Sequence, residues 1–194
     1  MKKYGWMTVL IPVVVAAAFL PLATAFGANP IQEGTQFNYT LPSPVSTQVQ
    51  NYLGLKAMGP FKVNDVKARC VVIELMSSTC PHCQAAAPNM NELYERMQTD
   101  PQMADVKFFA IALADSKLGV ETFRKEFKTV FPILLDKNHT ITHSLKGLAT
   151  PTTIIVSTKS AKVLAVHPGG IHNPGGFIKQ IKFVEALDAM DQSK

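Results

Sequence analysis

At 194 residues, 47% hydrophobic and 17% charged, the chain is long and apolar enough for one domain with a proper core, and bulk disorder is excluded. The formal charge of +5 is spread over separated lysines and arginines with no basic run interleaved with aromatics, so no nucleic-acid-binding surface is expected. Three cysteines, two of them flanking a single dipeptide, are too few and too close for a disulfide scaffold and suit reversible chemistry instead.

Lys2 and Lys3 precede an uncharged stretch from Trp6 to Leu20, which Pro21 breaks just before the Ala-x-Ala site ending at Ala25. This pattern predicts a signal peptide over residues 1–25. The competing reading is an uncleaved anchor over residues 6–26, because no charge follows until Glu33 and the span can cross a hydrocarbon core of roughly 30 Å. In both cases the rest of the chain is exported to the periplasm or its equivalent, with the two lysines left on the cytoplasmic side. Residues 26–60, rich in Pro, Ser, Thr and Gly, read as a linker and a poorly regular lead-in to a domain over residues 61–194.

Within that domain Cys70-Val-Val-Ile-Glu-Leu-Met76 is an apolar run of the kind found in a strand buried on both faces. A helix after the cysteine pair is marked by Met90, Leu93, Tyr94 and Met97 at spacings of three and four. Val106 to Leu113 is a second buried strand, and Val120, Phe123, Phe127 and Val130 mark an amphipathic helix. Residues 131–135 form a short strand, residues 136–148 a turn with a helix, and residues 152–156 and 162–166 a strand pair. Phe177, Ile181, Val184 and Leu187 give the inner face of a closing helix. The expected class is α/β, with a central mixed sheet flanked by helices.

Cys80-Pro-His-Cys83 sits where the first strand gives way to a helix. With Pro81 in the first helical turn, where its missing N–H costs nothing, Cys80 stands at the helix N-terminus. The unpaired amides and the positive end of the dipole stabilise its thiolate, and His82 can add to this. Cys83, one turn further in, is placed to resolve a mixed disulfide. Zinc would need two more ligands, and haem attachment would need histidine directly after Cys83, where the chain has Gln84. Glu74, a charge in an otherwise apolar strand, reads as a buried proton acceptor and donor for Cys83, or else as an edge carboxylate reaching solvent.

Residues 62–170 resemble the thioredoxin superfamily, and within it the exported TlpA-like branch. Glu74 lies six positions before the first cysteine, Pro88 five after the second, and Thr150-Pro151-Thr-Thr-Ile-Ile-Val156 matches the segment in which that family places a cis-proline. Residues 117–135 match the insertion of TlpA-like and peroxiredoxin-like members. The resemblance implies a thioredoxin fold, a redox-active Cys80–Cys83 pair, a cis Pro151, and Thr150 offering its backbone to substrate. It also implies protein thiols or disulfides as substrates, a membrane redox partner, and no cofactor. Two departures stand out: Thr79 replaces the tryptophan many relatives carry before the first cysteine, and the Pro-His dipeptide is that of the oxidising DsbA proteins.

Thiol–disulfide exchange is therefore expected. A peroxiredoxin-like thiol peroxidase is an alternative, with Ser77 three residues before Cys80 where peroxiredoxins place threonine; a metal-binding domain using Cys80, Cys83 and a histidine is another. Cys70, near the far end of the strand, reads as an inert buried thiol. The pairs His139/His143 and His167/His172 lack an evident third ligand.

Overall fold

The computed structural model describes residues 30–193, so the expected signal peptide and anchor lie outside the described residues. In chain order the elements are α1 (Thr47–Leu53), β1 (Cys70–Met76), α2 (Pro81–Thr99), β2 (Val106–Ala112), α3 (Lys117–Glu126), β3 (Ile133–Leu135), α4 (Thr140–Ser144), β4 (Thr152–Ser157), β5 (Val163–Pro168) and α5 (Pro174–Asp191). The strands form one mixed sheet in the order β3-β2-β1-β4-β5. β1 is central, parallel to β2 and antiparallel to β4, and all seven of its residues are buried.

Alternation along β1 divides the core into two layers. Val72 and Met76 face α2 and α5, where Met90, Leu93, Phe177 and Ile181 cover them. Val71, Ile73 and Leu75 face the opposite layer, built from α1, α4 and the chain before β1, with Leu41, Leu53, Phe61 and Ile141. Each such aliphatic side chain, fully buried, stabilises the fold by about 1.5–3 kcal/mol relative to exposure. A strand covered on both faces therefore holds its C-terminal end, and whatever follows it, in a fixed place.

Residues 30–60 correct the expectation of a linker. Much of the segment is irregular, but Ile31, Phe37, Leu41, Leu53 and Leu55 are buried in the second layer. Gly34 N–H donates to the Val163 carbonyl and Val163 N–H to the Thr35 carbonyl, so the lead-in lies along β5. From α1, the Tyr52 hydroxyl accepts from Phe108 N–H at 3.0 Å and donates to the Phe108 carbonyl at 3.4 Å. The polar composition concealed this because the apolar residues are widely spaced rather than periodic.

Two helix faces also differ from expectation. α3 ends at Glu126, and Val130 is 48% exposed rather than core. Lys128 has φ 50, outside the helical range, and Asn91 of α2 secures the following loop by donating to the Phe127 and Lys128 carbonyls and accepting from Val130 N–H. In α5 the inner face runs Phe177, Ile178, Ile181 and Glu185, while Leu187 is 49% exposed. Glu185 takes the inward place because Arg69, at the start of β1, pairs with it at 2.9 Å.

Candidate active site

β1 delivers the chain to a turn at residues 77–79, after which Cys80 becomes the N-cap of α2 with φ −78 and ψ 118. Cys80 N–H donates to the Ser77 carbonyl, its carbonyl accepts from Gln84 N–H, and Pro81 fills the first helical position, as its missing donor allows. Cys80 and Cys83 are both free thiols, the first partly exposed and the second buried. The Thr150–Pro151 peptide is cis, and Cys80 Sγ donates to the Thr150 carbonyl at 3.3 Å. Thr150 thus meets the nucleophile from the loop before β4, with the cis peptide to Pro151 directly after it.

The two thiols are set apart electrostatically. Partial burial by itself would raise the Cys80 thiol. It is outweighed by the Thr150 side chain, the Cys83 backbone N–H, the Cys83 thiol and the His82 backbone N–H, which together hold Cys80 below the ordinary value of 9.0. The bond to the Thr150 carbonyl is available only to the protonated sulfur, whereas the amide donors favour the thiolate. Burial pushes Cys83 up to about 12, with smaller upward contributions from Cys80 and from the charge of Glu74.

Glu74 lies on the α2 face of β1, between Val72 and Met76, in register with Ala110 and Thr153. It is 2% exposed, which removes the reading of an edge carboxylate reaching solvent. Burial raises its carboxyl from 4.5 to about 8. His82 stands apart from the other expected residues: its side chain is exposed, and it is its backbone N–H that reaches the Cys80 sulfur.

A second set of residues, which sequence reasoning missed, fixes the turn before Cys80. Ser78 N–H and Ser78 Oγ both donate to the Asp115 carboxylate, at 2.6 and 2.5 Å, and Gln84 Nε2 donates to the Ser78 carbonyl at 2.9 Å. Asp115 belongs to the loop between β2 and α3, so the inserted helix is tied directly to the cysteine turn. Gly119 in α3 makes room for this contact, since a Cβ there would lie 2.8 Å from both Asp115 Oδ1 and Ser78 Oγ. The string Asp115-Ser116 reads in sequence only as a helix start, a role Ser116 does fill by accepting from Gly119 N–H.

The remaining candidates lie elsewhere. Cys70 pairs with Val106 and Ser157 at the other end of β1, and burial drives its thiol far above the ordinary range. The His139 and His143 rings are 6.2 Å apart, and His167 packs on Phe177. Among the described residues no three His, Cys, Asp or Glu side chains converge as a metal site. The Ser77 hydroxyl lies 3.2 Å from that of Thr79.

A family model described as AhpC/TSA matches residues 40–165. The thiol-disulfide oxidoreductase ResA of Geobacillus thermodenitrificans is 28% identical over 108 residues, 56% of this chain and 59% of that protein. ResA of Bacillus subtilis is 23% identical over 105 residues, 54% of this chain and 56% of that protein. The chain thus spans somewhat over half the length of these relatives. Among solved structures, a thioredoxin-family thiol:disulfide interchange protein of Chlorobium tepidum superposes with a TM-score of 0.55 at 16% identity, covering 79% of this chain and 99% of that one. A secreted disulfide oxidoreductase of Mycobacterium tuberculosis superposes with a TM-score of 0.52 at 15% identity, over 75% and 95%. These structures share the expected thioredoxin fold.

Proposed function

Because this chain belongs to the AhpC/TSA family, we propose that it is an exported thiol–disulfide oxidoreductase that exchanges disulfides with protein thiols through Cys80 and Cys83. The observation that carries the proposal is the division between the two thiols: Cys80 is partly exposed and held below 9.0, while Cys83, one helical turn away, is buried and pushed up to about 12. A nucleophile and a resolver need that asymmetry. Export rests on the Lys2-Lys3 n-region and the apolar stretch behind it, and agrees with the secreted M. tuberculosis relative in fold.

In the reducing direction the Cys80 thiolate attacks one sulfur of a substrate disulfide. The S–S bond breaks, the other substrate sulfur leaves as a thiolate and takes a proton, and a mixed disulfide remains on Cys80. Forming that bond removes the Cys80 charge, one of the influences that hold Cys83 protonated. Glu74, raised to about 8 and buried beside the helix, then accepts the Cys83 proton. The Cys83 thiolate attacks Cys80, the second substrate thiolate departs protonated, and the two electrons reside in the substrate. Oxidation of a substrate dithiol runs through the same steps in reverse. The donated bond from Cys80 to the Thr150 carbonyl marks where an extended substrate backbone would lie.

The peroxidase alternative is less well supported, because the Ser77 hydroxyl sits by Thr79 and a resolving thiol already adjoins Cys80. The test is Cys83→Ala incubated with a protein disulfide. A stable mixed disulfide on Cys80 is expected, and Cys80→Ser should form none. Absence of the trapped species, with rapid and saturable consumption of hydrogen peroxide, would replace exchange by peroxidase chemistry. The reduction potential of the pair then sets the direction: about −120 mV would make it a DsbA-like oxidant and about −270 mV a thioredoxin-like reductant.

A further inference from the structure

A groove of about 640 Å³ runs from Ser77 and Thr150 toward α4 and the loop after it. One end is the active site itself, since the Thr150 carbonyl lies 3.3 Å from Cys80 Sγ. Leu113 and Leu148 supply apolar wall, and His143 and Lys146 stand along the groove as exposed side chains. Its charge is one-sided. The two nearby carboxylates are committed: Asp115 to Ser78, and the buried Asp136 to the N–H groups of Thr140 and Thr142 and the hydroxyl of Thr142. Lys146 makes no ion pair among the described residues.

Resting on the exchange function proposed above, we infer that this groove is a substrate subsite selecting cysteines followed or preceded, within about four residues, by an acidic side chain. Lys146 is four residues before Thr150, so at most about 14 Å of chain separates them, the length of roughly four residues of extended peptide. A substrate strand lying along the Thr150 backbone would place apolar side chains over Leu113 and Leu148 and bring its carboxylate to Lys146 and His143. Opposite charge there favours the encounter and like charge opposes it.

The test uses the full chain carrying the Cys80–Cys83 disulfide, reduced by peptides with one cysteine and a Glu, Gln or Lys three positions away. Each peptide's rate is divided by that of dithiothreitol on the same protein and by the peptide's own rate with a small neutral disulfide, so differences in folding and in the thiol reactivity of protein and peptide cancel. At low salt the Glu peptide should outrun the Lys peptide about fivefold, with Gln between, and 0.5 M salt should close most of the gap. Lys146→Glu should bring the ratio to one or reverse it. Lys179→Glu, the same charge change on α5 in the opposite layer, should preserve it. A ratio near one in the unaltered protein, or one that survives Lys146→Glu, overturns the subsite while leaving exchange at Cys80 intact. No reaction with dithiothreitol or any peptide would instead overturn the exchange function on which the subsite depends.

Discussion

Glu74→Gln isolates the cost of keeping a carboxylate inside the sheet. In the folded protein burial raises the carboxyl from 4.5 to about 8, so the native state holds this proton more tightly than the unfolded chain does. Below pH 4.5 both states are protonated and Glu74 costs no stability. As pH rises toward 8 the unfolded chain releases the proton first, and stability falls; above about pH 8 both states are ionised and the loss is complete. The shift corresponds to about 5 kcal/mol, a ceiling because local relaxation and water entry soften it. Glutamine keeps the shape and cannot ionise. Urea unfolding of both reduced proteins at pH 5, 7 and 9 should therefore show nearly equal stabilities at pH 5 and a variant more stable by several kcal/mol at pH 9, with unchanged m values. Other titrating groups are common to both proteins and cancel in the difference, apart from Cys83, which the Glu74 charge raises slightly and whose burial keeps it protonated across this pH range. The same variant should resolve mixed disulfides about a hundredfold more slowly, since Cys83 loses its proton acceptor. Parallel stability curves from pH 5 to 9 would refute the assignment of Glu74 as a desolvated carboxyl.

Alkylation should separate the two thiols: in the reduced protein Cys80 should react with iodoacetamide along a titration whose midpoint lies below 9.0, while Cys83 in Cys80→Ser, which keeps its burial but loses the upward push from Cys80, should still react only along a titration displaced above 9.0. Asp115→Ala should leave Ser78 without its two hydrogen bonds and cost about 2–3 kcal/mol in denaturant unfolding, with a shifted Cys80 alkylation midpoint as the sign that the turn has moved. Gly119→Ala forces a Cβ within 2.8 Å of both partners of that contact, and should cost about 1–3 kcal/mol, a loss that largely disappears in an Asp115→Ala background.

The central strand and the cysteine helix were legible because both obey strong local rules. Seven consecutive apolar or nearly apolar residues followed, after a three-residue turn, by a Cys-Pro helix start leave little freedom, and Glu74 stood out as the single charge within the run. The cis bond before Pro151 was legible only through resemblance, since most X-Pro bonds are trans. What escaped were contacts between distant segments with no periodic signature. Asp115 joins Ser78 across 37 positions, and Asn91 secures the loop after α3 across a similar gap. Val130 and Leu187 show the complementary failure, where spacing suggested a buried face and a left-handed residue or an inward ion pair redirected the chain.

The lead-in has a consequence for how the domain survives in company. An open sheet offers unpaired backbone groups at its margins, and such margins recruit other strands. Here residues 33–35 lie against β5, with Glu33 Oε1 also accepting from Val166 N–H. On the other side β3 pairs only with residues 110–112, and Tyr52 satisfies Phe108 in the stretch of β2 that β3 leaves open. One segment therefore covers part of the β5 margin and satisfies the β2 backbone that the short β3 leaves open. A chain trimmed to begin at residue 61 would keep every group of the cysteine site and still lose its protection against its own kind.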